Sequence, residues 1–108
     1  MPARAAERAW IADLFEPLGP VTFRAMMGGL CVYSEGQIFA ILGPGDRLML
    51  KATGPLAAAL AAEGAEEWVY TRKDGKTARM PYWTLPDAAL EDPEAASDWA
   101  RRALAALA

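Results

Sequence analysis

Residues 21–51, VTFRAMMGGLCVYSEGQIFAILGPGDRLMLK, leave this chain few folds to choose from. Short aliphatic and β-branched runs alternate there with glycine-bearing steps. The pattern predicts several consecutive strands joined by tight turns. Glu35-Gly36 lies between Ser34 and Gln37, and glycine reaches positive φ without steric cost. A two-residue hairpin is predicted there, and such a loop sets the register. Tyr33 then faces Ile38, Val32 faces Phe39 and Leu30 faces Ile41. Alternation puts Leu30, Val32, Phe39 and Ile41 on one face, with Cys31, Tyr33, Ile38, Ala40 and Leu42 on the other. Both faces are largely apolar, which predicts central strands covered on each side by helices, by a partner chain, or by one of each. Gly43-Pro44-Gly45-Asp46 forms a second turn, and Arg47–Lys51 returns with Leu48 and Leu50 on one side. Upstream, Val21–Met27 reads as a first strand closed by a turn or bulge at Gly28-Gly29.

The rest of the chain frames this sheet. Residues 3–16 predict a helix with Ala6, Trp10, Ile11, Leu14 and Phe15 near a helical period, stopped by Pro17 and Gly19-Pro20. Thr53-Gly54-Pro55 opens a second, alanine-rich helix that ends near Gly64. Glu66–Lys73 and Lys76–Leu85 flank Asp74-Gly75, a hairpin signal that pairs Val69 with Met80 and Tyr70 with Arg79. The second pair invites a cation–π contact. Pro81 has no N–H, so its arm is expected to be an edge strand or to be interrupted there. A helical turn follows at Pro86–Leu90. Asp92-Pro93-Glu94 then caps a final helix with a stripe of Ala96, Trp99, Ala100, Ala103, Leu104 and Leu107. The order α-β-β-β-β-α-β-β-α gives an α+β fold, an antiparallel sheet with helices packed on it.

Chemistry is sparse. The 108 residues contain no histidine, one cysteine and two serines, Ser34 at a turn and Ser97 in a helix. The usual general base and the commonest transition-metal ligand are missing. Cys31, flanked by Leu30 and Val32, reads as a small buried hydrophobe. The carboxylates Asp46, Asp74, Asp87, Asp92 and Glu94 sit where turns and caps need them. The glycine steps match no phosphate-binding fingerprint. No catalytic residue, metal site or cofactor is expected. Arg72, Lys73, Lys76 and Arg79 gather at the second hairpin tip, either as a solvated end guarding an edge or as an interaction surface. Eleven basic residues against fourteen acidic ones disfavour direct DNA binding. A lone cysteine, no apolar run of membrane-spanning length and no signal-peptide core predict a cytoplasmic protein that does not enter the membrane.

Two blocks carry a family resemblance. The first is Arg24-Ala-Met-Met-Gly-Gly-Leu-Cys-Val-Tyr-Ser-Glu-Gly-Gln-Ile-Phe-Ala-Ile-Leu, continued by Asp46-Arg-Leu-Met-Leu-Lys. The second runs from Met80-Pro-Tyr-Trp-Thr-Leu-Pro to Trp99-Ala-Arg-Arg-Ala-Leu. In this order they resemble the N-terminal domain of the TfoX/Sxy competence regulators over nearly the whole chain, with Met27 where the family often has Phe. The resemblance implies a curved antiparallel sheet likened to secretion chaperones, and no catalytic residues. Full-length bacterial relatives activate transcription of DNA-uptake genes with the cyclic-AMP receptor protein and carry a second, helical C-terminal domain. Residues 1–108 read as a single stand-alone N-terminal domain. The expected role is a non-enzymatic regulatory or protein-interaction domain whose partner is another protein, such as a transcription factor, or a second copy of the chain. The alternative is a small-molecule-binding module with its pocket between sheet and helices.

Overall fold

The computed structural model describes residues 4–26 and 28–107. Among these, the chain forms α1 (Ala5–Leu14), β1 (Thr22–Met26), β2 (Gly29–Ser34), β3 (Gln37–Leu42), β4 (Leu48–Lys51), α2 (Gly54–Ala62), β5 (Glu67–Thr71), β6 (Thr77–Thr84) and α3 (Pro93–Leu107). Short 3-10 turns at Glu16–Leu18, Pro44–Asp46 and Asp87–Ala89 join them. The α+β class and the order of elements are those expected. Ala3, Met27 and Ala108, included in the predicted elements and family comparison, lie outside the described residues.

The six strands form one antiparallel sheet in the order β1-β2-β3-β4-β6-β5. β6 is therefore interior, and β5 takes the edge that Pro81 had suggested for β6. The strand tolerates Pro81 by losing register beside it. Val69 pairs with Arg79, but Glu67 pairs with Trp83, so β6 carries extra residues between these two points. On the other side of β6 the Pro81 carbonyl still accepts a hydrogen bond from the Ala52 N–H at 3.0 Å.

Both hairpins depart by one residue from the expected register, for different reasons. Ser34-Glu35-Gly36-Gln37 is the two-residue turn predicted, with positive φ at Glu35 and Gly36, and Tyr33 faces Ile38. A bulge then intervenes: Val32 faces Ala40 and Leu30 faces Leu42. Phe39 is the extra residue. It turns into the core beside Ala40, where its ring meets Phe15 edge-on with centroids 5.2 Å apart. The slip moves Leu42 to the helix side and Ile41 to the opposite side, reversing the expected assignment. At the second hairpin, Gly75 donates to the Arg72 carbonyl and Arg72 to that of Lys76, leaving a three-residue loop with Gly75 at φ 83°. Tyr70 consequently faces Ala78, and Arg79 bonds Glu67 at 2.6 Å; the expected stacking of Arg79 on Tyr70 does not form.

Helices cover one side of the sheet. Leu30, Val32, Phe39, Leu42, Leu48 and Leu50 from the strands meet Ile11, Leu14 and Phe15 of the α1 region, Leu56 and Leu60 of α2, and Ala96, Ala100 and Ala103 of α3. In α1, Ala6 and Trp10 of the predicted stripe are exposed. The Asp92 carboxylate caps α3, accepting from the Glu94 and Ala95 N–H groups at 3.1 and 3.3 Å. Alanine brings α3 close, while Trp99, Leu104 and Leu107 pack half-buried along its flank. No described helix is long and apolar enough to cross a membrane.

Candidate functional site

The opposite side of the sheet is built from strand residues alone. Cys31, Ile41, Met49 and Tyr82 are buried there, with Tyr33, Ile38, Trp68 and Met80 packed against them. No helix joins this cluster among the described residues. Tyr82 and Tyr70 flank Trp68 with ring centroids 6.2 and 6.5 Å away, making an aromatic row across β6 and β5.

The sheet curls around this face. One cavity of about 520 Å³ is lined by Met26 of edge strand β1 and by Trp68 and Tyr70 of edge strand β5. In a flat sheet of this order those edges would stand roughly 24 Å apart, at ~4.8 Å per strand. The two bulges supply the bend, because an extra residue on one strand kinks it and increases its twist. Gly29 lets β2 and β3 close in at the cavity floor: a Cβ there would lie 2.6 Å from the Leu42 carbonyl oxygen. Cys31, Ile41 and Met80 complete the apolar wall, and Pro44 lies at one end. A smaller cleft of about 260 Å³ lies between the β2–β3 turn and Leu104 and Leu107 of α3. The larger space is thus on the face away from the helices, not between sheet and helices.

Electrostatics sharpen the picture. Glu67 is the one carboxylate carried by any described strand; it alternates with Trp68 and so faces away from the cavity, bonded to Arg79. Arg24 pairs across β1–β2 with Cys31, and Lys51 pairs across β4–β6 with Tyr82, so both cations stand on the open face. Neither has an ion pair among the described residues. Asp46, near Pro44, is held by Arg4 at 2.9 Å. Burial pushes the Cys31 thiol above its ordinary range, and the nearby Arg24 charge opposes that rise in part. Burial also raises the Tyr82 phenol, with Cys31 and Tyr33 adding to it.

The hairpin-tip cations are less concentrated than the sequence suggested. Arg72 bridges Asp74 at 3.2 Å and Arg79 bridges Glu67, which leaves Lys73 and Lys76 without an ion pair among the described residues. The same hairpin carries Trp68, Tyr70 and Met80, so tip and cavity wall belong to one element. Sequence reading missed Met26, Ile41 and Met80 as residues of the cavity wall, and Arg24 as the cation beside it. The signal was present: two-sided apolar strands require a second cover, and Arg24 is a cation on strands almost free of carboxylates. Among the described residues no cluster of His, Cys, Asp or Glu could hold a metal ion.

No curated protein matches the chain significantly. Residues 13–107 match the TfoX N-terminal domain. That span runs from the last turn of α1 to the last residue of α3 and contains every wall of the cavity. The chain therefore belongs to the TfoX N-terminal domain family.

Proposed function

We propose that this chain is a non-enzymatic regulatory domain that works by binding another protein, in the manner of bacterial competence regulators that govern DNA-uptake genes. The observation that carries this reading is the open, apolar, aromatic-rich face of a sheet whose other face packs against its own helices. Contiguous apolar surface of this kind marks interaction sites, with aromatic and methionine side chains prominent in their centres. Lys73 and Lys76 extend the surface along the same hairpin and suit an acidic partner. A transcription factor or a second copy of the chain would serve as that partner. Family membership supports the competence connection, and the acidic charge balance argues against direct binding to duplex DNA.

A photoreactive residue introduced at exposed Tyr70 tests the reading in the native host. It should give a discrete protein adduct on irradiation, and the same residue at Asp98 on the outer side of α3 should not. Equal adducts at both positions would refute the assignment of the face. Submicromolar, salt-sensitive anisotropy binding of duplex DNA by the isolated chain would refute the protein-partner route.

The cavity favours a second reading, a small-molecule-binding module. Its volume lies within the ~300–1,000 Å³ typical of ligand sites. A thermal-shift screen against metabolites reads this out, because a ligand held only by the folded state raises the unfolding midpoint.

A further inference from the structure

We infer that the cavity between the two edge strands takes an amphipathic organic anion, its apolar body against Trp68, Tyr70 and Met80 and its acid group at Arg24. The inference rests on the ligand-binding reading above and names the ligand class.

Three observations converge on it. The wall is apolar and adaptable: methionines from β1 and β6, an indole and a phenol shape themselves around an alkyl chain or aromatic ring. The thiol of Cys31, kept protonated by burial, adds to the apolar floor rather than a charge. The unpaired charge beside the cavity is cationic. Arg24 follows the same strand face as Met26 and pairs with Cys31, both in the wall, and it has no carboxylate partner among the described residues. The carboxylates near the site are already engaged, Asp46 by Arg4 and Glu67 by Arg79. In a chain of net charge −3, a sheet face whose strands carry no carboxylate among the described residues, and on which Arg24 has no ion pair there, selects against cations and for anions. A guanidinium matches a carboxylate in two parallel hydrogen bonds, which a neutral or cationic head group cannot accept in the same way. The cavity size suits a medium-chain or arylalkyl acid.

The test titrates the full chain with octanoate, 1-octanol and octylammonium, and follows the methyl resonances of Met26 and Met80 and the indole N–H of Trp68 by NMR. Octanoate should shift these signals saturably and bind about five- to tenfold more tightly than 1-octanol, with octylammonium weakest. Arg24 is exposed, so Arg24→Gln should fold normally; it should erase the preference for the acid and leave 1-octanol binding unchanged. Met26→Glu, at another exposed position, should abolish octanoate binding by placing a like charge in the mouth. If octanoate and 1-octanol bind equally, or if Arg24→Gln keeps the preference, the anion inference falls while the ligand-binding reading stands. If none of the three compounds moves these signals, both fall.

Discussion

Replacing Gly29 by alanine should weaken the protein although Gly29 has an ordinary strand backbone. The added Cβ would lie 2.6 Å from the Leu42 carbonyl oxygen, well inside van der Waals contact. The obstacle is main chain in the β2–β3 ladder beside the Leu30–Leu42 pair, so no side chain can rotate away. Moving that ladder apart resembles overpacking a core, which costs about 1–3 kcal/mol. Alanine also restricts the unfolded chain, which returns about 0.4–1 kcal/mol. The net expectation is a loss of about 1–2 kcal/mol, or about 1 M in urea midpoint at an m-value near ~1–2 kcal/mol/M. Gly43 supplies the internal control. It lines the same cavity, its φ is −97°, and its added Cβ would meet nothing closer than the Met49 sulfur at 3.8 Å. Gly43→Ala should therefore be neutral or stabilising by up to about 1 kcal/mol. Urea unfolding of the two variants beside the parent measures both. A Gly29→Ala midpoint equal to or above that of the parent would show that β2 and β3 do not approach as described.

Cys31 should react slowly with a thiol reagent in the native state, and labelling as fast as in the unfolded chain would contradict its burial. Because the folded state raises the Cys31 and Tyr82 pKa values, their contribution to stability is intact below the ordinary pKa values. It should be lost as pH climbs past the ordinary thiol value of 9.0 and through the folded value, and Cys31→Ala should soften that alkaline decline in thermal melts. The Ser97 hydroxyl is buried with no hydrogen-bond partner among the described residues, so Ser97→Ala should stabilise by about 0.5–1.5 kcal/mol, and a destabilised variant would mean that the hydroxyl is satisfied. Trp99 is half-buried with the Arg102 guanidinium 4.5 Å from its ring centroid. Trp99→Ala should cost about 2–3 kcal/mol, below the 3–5 typical of a fully buried aromatic, and an unchanged unfolding midpoint would make the ring a surface anchor.

The features readable from sequence were those set by neighbours in the chain. Glu35-Gly36 announced its turn because positive φ is a local requirement, and Asp92-Pro93 announced α3 because capping is local. The bulge at Phe39 was hidden, since the contact its ring makes is with Phe15 just past the end of α1, far along the chain. That one unseen residue inverted the faces of Ile41 and Leu42. The interior position of β6 was hidden for a related reason: strand order is decided by docking between distant segments, and Pro81 signals only a local irregularity. The cavity needed more still, because it exists only once curvature brings Met26 and Tyr70 around the same space. The apolar open face itself was legible, from Cys31, Tyr33 and Ile38 alternating with core positions.

The β4–β6 ladder has a consequence for how the domain assembles. Strands β1 to β4 pair through short turns, and β5 with β6 through another, so each unit is held together by local pairing. Three pairs join the units, Met49–Thr84, Leu50–Trp83 and Lys51–Tyr82, between segments about thirty residues apart, and closing such a loop is the entropically slow step. The Ala52 and Leu85 amides, which bond to Pro81 and Leu48 across this seam, should exchange with solvent together and sooner than those of the β2–β3 ladder. Slower exchange at the seam than in that ladder would rule out this order of assembly. Met26, Cys31 and Ile41 come from one unit and Trp68, Tyr70 and Met80 from the other, so the cavity is completed only by the final docking event. A molecule lodged there would span the seam, and its binding would hold the two halves together in proportion to the logarithm of ligand concentration over Kd.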